Sequence, residues 1–163
     1  MSGTSPAVFT PDMMARDMPE RQEIDSRFGR ITIFPHQAIN FPAGLLGMPS
    51  KMQFCLARFP SEKMARFSIL QSVNDPKLSF ITLPVDVVNP ILEHEDLALA
   101  ARDLNLPLED LVVLLIVSVH RETGVARLSV NARAPVLMRV SHRAAVQYVF
   151  PHAKYQIRQP LVL

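Results

Sequence analysis

A single cysteine, Cys55, rules out a disulfide within these 163 residues, and nothing in the cysteine usage implies an oxidising compartment. Tryptophan is absent and tyrosine occurs twice, which removes most of the exposed stacking platforms that single-stranded nucleic-acid binders interleave with basic residues. Glycine is scarce at five residues, and they assemble into no P-loop, dinucleotide fingerprint or nucleophile elbow. Long apolar runs are missing too. The longest, Leu111 to Val119 interrupted by Ser118, is about half of the ~20 residues that a membrane helix needs. The N-terminus lacks a basic region followed by an apolar stretch and a cleavage site. A soluble cytoplasmic protein with no membrane partner is expected.

What the chain does have is apolar material and proline. Nearly half of it is hydrophobic, 48%, enough for one core and too little for two comfortable domains. Residues 1–25, with Pro6, Pro11 and Pro19 and scattered charges, read as a flexible leader. Met13, Met14 and Met18 could share one side of a short helix there. Residues 26–163 read as one domain.

Within that domain, short alternating runs end at prolines. Phe28 to Phe34 stops at Pro35, Ala38 to Phe41 at Pro42, and Gln53 to Phe59 at Pro60. Phe67 and Ile69 lead into a turn in which Asp75 takes the first corner and Pro76, with its fixed φ, the second. Leu78 and Phe80 leave the turn on one face, while Ile81 and Leu83 lie on the other, which predicts a bulge or bend between Phe80 and Ile81. Val85 to Leu92 reads as a further strand. From Glu93 to Leu104 the apolar spacing changes to threes and fours (Leu97, Ala100, Ala101, Leu104), the mark of a helix with one buried face. Leu111 to Val119 then reads as a strand buried on both sides. Arg121-Glu122-Thr123-Gly124 supplies a turn, Asn131 to Arg133 a corner, and Ala126 to Val130, Val136 to Val140 and Ala145 to Phe150 complete the set. Tyr155 and Arg158 are potential anchors of a final surface segment. The expected fold is all-β with minor α: an antiparallel, partly open barrel of about ten short strands and one short helix.

The formal charge of +2 conceals an uneven distribution. Residues 86–110 carry seven acids (Asp86, Glu93, Glu95, Asp96, Asp103, Glu109, Asp110) against Arg102, whereas from Arg121 onward seven bases face Glu122 alone. Two such segments either steer partners or pair internally and with solvent, and the second arrangement is the commoner.

Catalytic chemistry finds no foothold in the residues. Cys55 sits in an alternating strand and reads as a small core residue, not a nucleophile. His36, His94, His120, His142 and His152 occur singly, without paired ligand spacing, so no metal and no cofactor are expected. The carboxylates cluster on a helix and not in an apolar cleft, so nothing supports raised pKa values for acid catalysis. Two classes remain: a protein-binding module, or a small basic barrel that binds RNA through Arg127, Arg133 and Arg139.

A specific resemblance bears on this choice. Leu70-Gln71-Ser72-Val73-Asn74-Asp75-Pro76-Lys77-Leu78-Ser79-Phe80 resembles the hallmark of the flagellar assembly factor family FliW. Three further segments fall in that family's order: Arg27-Phe28-Gly29-Arg30-Ile31, Phe41-Pro42-Ala43-Gly44-Leu45-Leu46-Gly47, and Asn131-Ala132-Arg133-Ala134-Pro135-Val136. The resemblance implies a non-enzymatic cytoplasmic β-barrel, expected to be a monomer. It also implies two partners, flagellin and the RNA-binding translational regulator CsrA, in a switch: the free factor holds the regulator, and accumulated flagellin displaces it. Direct nucleic-acid binding is not implied. Candidate partner-binding residues are the helix acids Glu93, Glu95, Asp96 and Asp103, which would meet a basic surface. The loop residues Phe41, Leu45, Gln71, Asn74 and Asp75, with Asn131 and Arg133, form the second group. Gln71 and Asn74 are favoured among them because neither has an obvious core task. Such proteins are commonly acidic, whereas residues 26–163 here carry fifteen bases and ten acids.

Overall fold

The computed structural model describes residues 21–50, 52–85 and 91–162. Strands β1 (Gln22–Ser26) and β2 (Gly29–Ile33) form an antiparallel hairpin with Gln22 opposite Ile33. The remaining strands are β3 (Ile39–Phe41), β4 (Met52–Arg58), β5 (Ser68–Ser72), β6 (Ser79–Pro84), β7 (Leu111–Glu122), β8 (Val125–Val130), β9 (Val136–Arg139), β10 (Ala144–Gln147) and β11 (Gln159–Pro160). Among the described residues one α-helix, α1 (His94–Asp103), lies between β6 and β7.

Nine of these strands form one sheet in the order β11-β8-β7-β6-β5-β4-β3-β10-β9, and β9 pairs back onto β7. Seven strands, β7-β6-β5-β4-β3-β10-β9, therefore close into a ring, and β8 and β11 extend from it. The expected β-barrel is present, with its ring closed. All pairs are antiparallel except β10 with β3, which share a single register pair, Ala144 with Asn40, and a 2.8 Å bond from Asn40 N to the Arg143 carbonyl.

The length of β7 makes closure possible. Its first half, Leu111 to Leu114, pairs with β9, and its second, Val117 to Glu122, pairs with β8. Between those pairings three steps along β7, Leu114 to Val117, face six along the partner, Val136 back to Val130. The surplus is a pronounced bulge at residues 131–135, which redirects the chain from the projecting β7–β8 hairpin into the ring.

Both faces of the ring are apolar. Phe41, Phe54, Leu70, Phe80, Leu114, Val136 and Ala145 come one from each ring strand and fill the interior. Phe41 meets Phe54 edge-on, with centroids 5.2 Å apart. Outside, the β1–β2 hairpin lays Ile24, Ile31 and Ile33 over Cys55, Ala57 and Ile69. A second outer patch, including Ile81, Leu83, Val113, Leu115 and Leu137, is covered by Ala100 of α1 together with Phe150 and Tyr155.

This two-sided burial corrects the reading of β6. Its register with β5 runs unbroken from Ser68–Thr82 to Gln71–Ser79, so there is no bulge between Phe80 and Ile81. Phe80 faces the interior and Ile81 the covered exterior, so apolar residues on both phases need no slip. The β7–β8 turn is also tighter than expected: β7 runs to Glu122, and Thr123 (φ 49°) and Gly124 (φ 81°) alone turn the chain. Residues 22–25 of the expected leader are ordered as β1, where Ile24 supplies a buried anchor. The rest of the leader, with Met13, Met14 and Met18, and most of the strand expected over Val85–Leu92 lie outside the described residues.

Candidate functional site

The pairing register fixes which loops share an end of the barrel. Phe41 ends β3 opposite Met52 at the start of β4, and Phe54 lies opposite Ser72 at the end of β5. Gln71 in turn faces Ser79 at the start of β6. At this same end β10 finishes with Gln147 opposite Val136, where β9 begins. The β3–β4 loop, the β5–β6 turn and the bulge at 131–135 therefore meet on one rim. These are three of the four segments that carry the family resemblance.

Each segment is held by its own sequence. In the β3–β4 loop Leu45 and Met48 exchange backbone bonds of 3.0 and 2.8 Å. Gly44 (φ +70°) lies beneath them, and a Cβ there would come within 2.0 Å of the Met48 carbonyl, so only glycine fits. Leu45 is buried into the barrel mouth and Leu46 stands out, 54% exposed. Phe41 is wholly buried and shapes this rim from within.

The β5–β6 turn is as expected in outline: Leu78 N donates to the Asp75 carbonyl at 3.1 Å, and Asp75 Oδ1 accepts from Lys77 N at 3.0 Å. Ser72 Oγ accepts from Asn74 N and Asp75 N. Gln71, in contrast, has a clear internal task. It is fully buried, and its Nε2 lies within 3.1–3.4 Å of the carbonyls of Ser72, Asp75, Pro76 and Leu78. A polar side chain with its donors aimed into a tight turn organises the turn, which corrects the expectation that it is free. Asn74, Asp75, Pro76 and Lys77 are the exposed residues here.

In the bulge, Asn131 Oδ1 accepts from Ala134 N at 3.1 Å, so this side chain also shapes backbone. Arg133 is half-buried, and its guanidinium has no ion-pair partner among the described residues. Gln147, which sequence reasoning did not single out, ties two of the segments together. Its Oε1 accepts from Leu46 N at 2.9 Å, and its Nε2 donates to the Ala134 carbonyl at 3.1 Å. No periodicity or motif marked it.

The acids of the second candidate group lie elsewhere, on α1 against the outer face. The helix matches its sequence reading: Glu93 is its N-cap, Leu104 its C-cap, and Ala100 and Ala101 are buried. Its acids are largely engaged within the fold. Lys154 Nζ reaches Glu93 at 2.7 Å and Asp96 at 2.8 Å, and the Tyr155 hydroxyl donates to Asp96 while accepting from Glu93 N at 3.0 Å. Hydrogen bonds from Lys154 and then Tyr155 hold Asp96 below the usual carboxylate range, and the two acids raise Lys154. Asp103 accepts from the Tyr148 hydroxyl at 2.7 Å, which raises that phenol. Glu95 is exposed and has no ion-pair or hydrogen-bond partner among the described residues. The C-terminal segment so pinned also clamps the bulge, since Ala132 N and Arg133 N donate to the Gln156 carbonyl and Phe150 N to the Arg133 carbonyl.

Among the described residues no group of His, Cys, Asp and Glu is placed to hold a metal ion. Cys55 is buried beneath the β1–β2 hairpin, and burial pushes its thiol upward, the opposite of an activated nucleophile. No described helix is long and apolar enough to cross a membrane.

Comparison with known proteins agrees with the resemblance. The solved structure titled "Crystal structure of the flagellar assembly factor FliW" superposes with a TM-score of 0.63 at 22% identity, over 87% of this chain and 98% of that one, which shows the fold. "Flagellar assembly factor FliW" of Magnetococcus marinus is 32% identical over 143 residues, 84% of this chain and 82% of its own. That of Syntrophotalea carbinolica is 28% identical over 144 residues, covering 86% and 98%. The family model described as FliW protein matches residues 23–161. From β1 through β11, then, the chain belongs to the FliW family.

Proposed function

We propose that this protein is a cytoplasmic, non-enzymatic flagellar assembly factor that works by binding: it holds flagellin or, alternatively, a CsrA-type translational regulator. The observation that carries the reading is the convergence of three resemblance-bearing segments on one rim, two of them linked by Gln147. That rim presents Leu46, Asn74, Asp75 and Lys77 outward on a stiff frame. A partner meeting it finds apolar and charged groups already positioned, so little ordering entropy opposes the contact.

The regulator binds RNA and so offers basic surface, to which the acidic start of α1 is complementary. Glu93 and Asp96 are bound to Lys154, which leaves Glu95 as the carboxylate there with no partner among the described residues. The C-terminal segment joins helix and rim, because it is pinned to α1 and clamps the bulge. Exclusive binding of two partners needs only that one occupant disfavours the arrangement the other requires.

Titration calorimetry with purified flagellin tests the rim. Leu46→Asp and Lys77→Glu each weaken flagellin binding about tenfold, while Leu99→Asp, on the exposed side of α1, leaves it unchanged. Glu95→Lys weakens the regulator alone. Flagellin affinities indifferent to both rim variants remove the rim from the proposal, and regulator affinity indifferent to Glu95→Lys removes the helix. The competing reading, a basic RNA-binding barrel, predicts tight, salt-dependent retention of short RNA in a gel shift. Such retention without flagellin binding would replace the proposal.

A further inference from the structure

The barrel has a second end, where β3, β5 and β10 begin and β4 and β9 finish. We infer that this end carries a separate binding site for an acidic peptide bearing one aromatic side chain.

The site arises from the way the ring closes. β3 and β10 share one register pair, and beside that seam the strands diverge. A cavity of about 180 Å³ opens there, lined among others by Phe34, Ile39, Leu56, Met138, Val140 and Arg143. Its size is that of a ring pocket, since an apolar cavity of about 150 Å³ accommodates benzene. Phe34 and Val140 at its wall are 39% and 48% exposed, so large apolar groups stand uncovered. Through Phe34, Gln37 and Leu56 the cavity continues into a groove of about 540 Å³ flanked by Arg30 and Arg58.

Charge decides the rest of the occupant. Arg30, Arg58 and Arg143 line the two spaces, and no acidic residue does among the described residues. Of the nearby carboxylates, Glu23 pairs with Arg30 at 2.7 Å and neutralises it, with Asp25 opposite Arg30 across the hairpin, while Asp110 is committed to Arg139 at 3.3 Å and to Ser141. Arg58 has no ion-pair partner among the described residues. Arg143 sits in the left-handed region at φ 45° and donates to the His36 carbonyl. That hydrogen bond holds the guanidinium beside the cavity. A ring-sized apolar hole beside the guanidiniums of Arg58 and Arg143 fits an acidic strand with a single phenyl anchor.

Fluorescence anisotropy with the full chain and a labelled acidic peptide, Glu-Asp-Glu-Phe-Glu-Asp-Glu, tests this. Binding is expected, weakening with salt. Changing the peptide's Phe to Ala, or introducing Arg58→Glu or Val140→Asp, lowers affinity about tenfold or more. Arg58 and Val140 are exposed, and unchanged circular dichroism confirms that those variants fold. Lys77→Glu at the opposite rim leaves peptide binding intact, so failure here and failure of the flagellin reading are separable. Absent binding, binding equally strong without the phenyl ring, or binding indifferent to Arg58→Glu overturns the site. Displacement of the peptide by short RNA with no dependence on Val140 also overturns it, because the surface would then be a phosphate-binding one.

Discussion

Gln71 and Asn74 are three residues apart and equally polar, yet they do opposite things. Asn74 is exposed, while Gln71 is sealed inside the turn with its amide aimed at four carbonyls. Sequence could not separate them, because a buried amide serving a turn and a free one offered to a partner share the same neighbours. Gln71→Leu is expected to lower stability by about 1–3 kcal/mol, since turn carbonyls lose a buried donor, and a shifted denaturant midpoint measures it. Glycines allow a sharper comparison. Gly47 (φ +81°) has open space where a Cβ would go, whereas Gly44 has the Met48 carbonyl. Gly47→Ala should cost about 1 kcal/mol from its positive φ alone. Gly44→Ala should be far worse, with a clearly larger drop in melting temperature; equal drops would refute the steric account.

Among the elements, α1 and the segment that crosses it show how charge was legible and how it was not. Its apolar spacing and acidic first turn predicted its extent within a residue at each end. That Lys154, some sixty residues on, would neutralise those acids could not be read from spacing. The commoner of the two expected arrangements, internal pairing, describes Lys154 with Glu93 and Asp96, and Arg139 with Asp110. Because Asp96 is held below its ordinary value, its contribution is complete above the unfolded-state value of about 4 and is lost as pH falls through the lower folded value. Asp96→Asn should therefore melt earlier than the parent protein at neutral pH, with the gap closing in acid. A gap that persists at pH values where both carboxylates are protonated would contradict the clamp. Tyr155→Phe leaves Glu93 N without its partner and should lower stability by about 1–3 kcal/mol in denaturant titration.

For the molecule as a whole, the strands were legible and their closure was not. Alternation and proline stops located β2 to β10, because each lies against at least one covered face. β1 escaped because Ile24 is the single apolar residue in Gln22–Ser26. The misplaced bulge in β6 came from assuming one wet face, when the ring buries both. The break between the strands Ala126–Val130 and Val136–Val140 was legible as a corner at Asn131 to Arg133, but that it is a bulge along one edge of β7 follows from β7 serving both β8 and β9. Likewise the three loops of the rim are linked through strand pairings that span most of the chain, so no local pattern could have placed them together.

A hoop riveted at one thin spot opens there first. Six joins of this hoop are ladders of three to five rungs, and the seventh, between Asn40 and Ala144, has one. Native-state hydrogen exchange should therefore release the Asn40 amide well before that of Leu70, as the cylinder springs apart along this line while the hairpins on either side stay zipped.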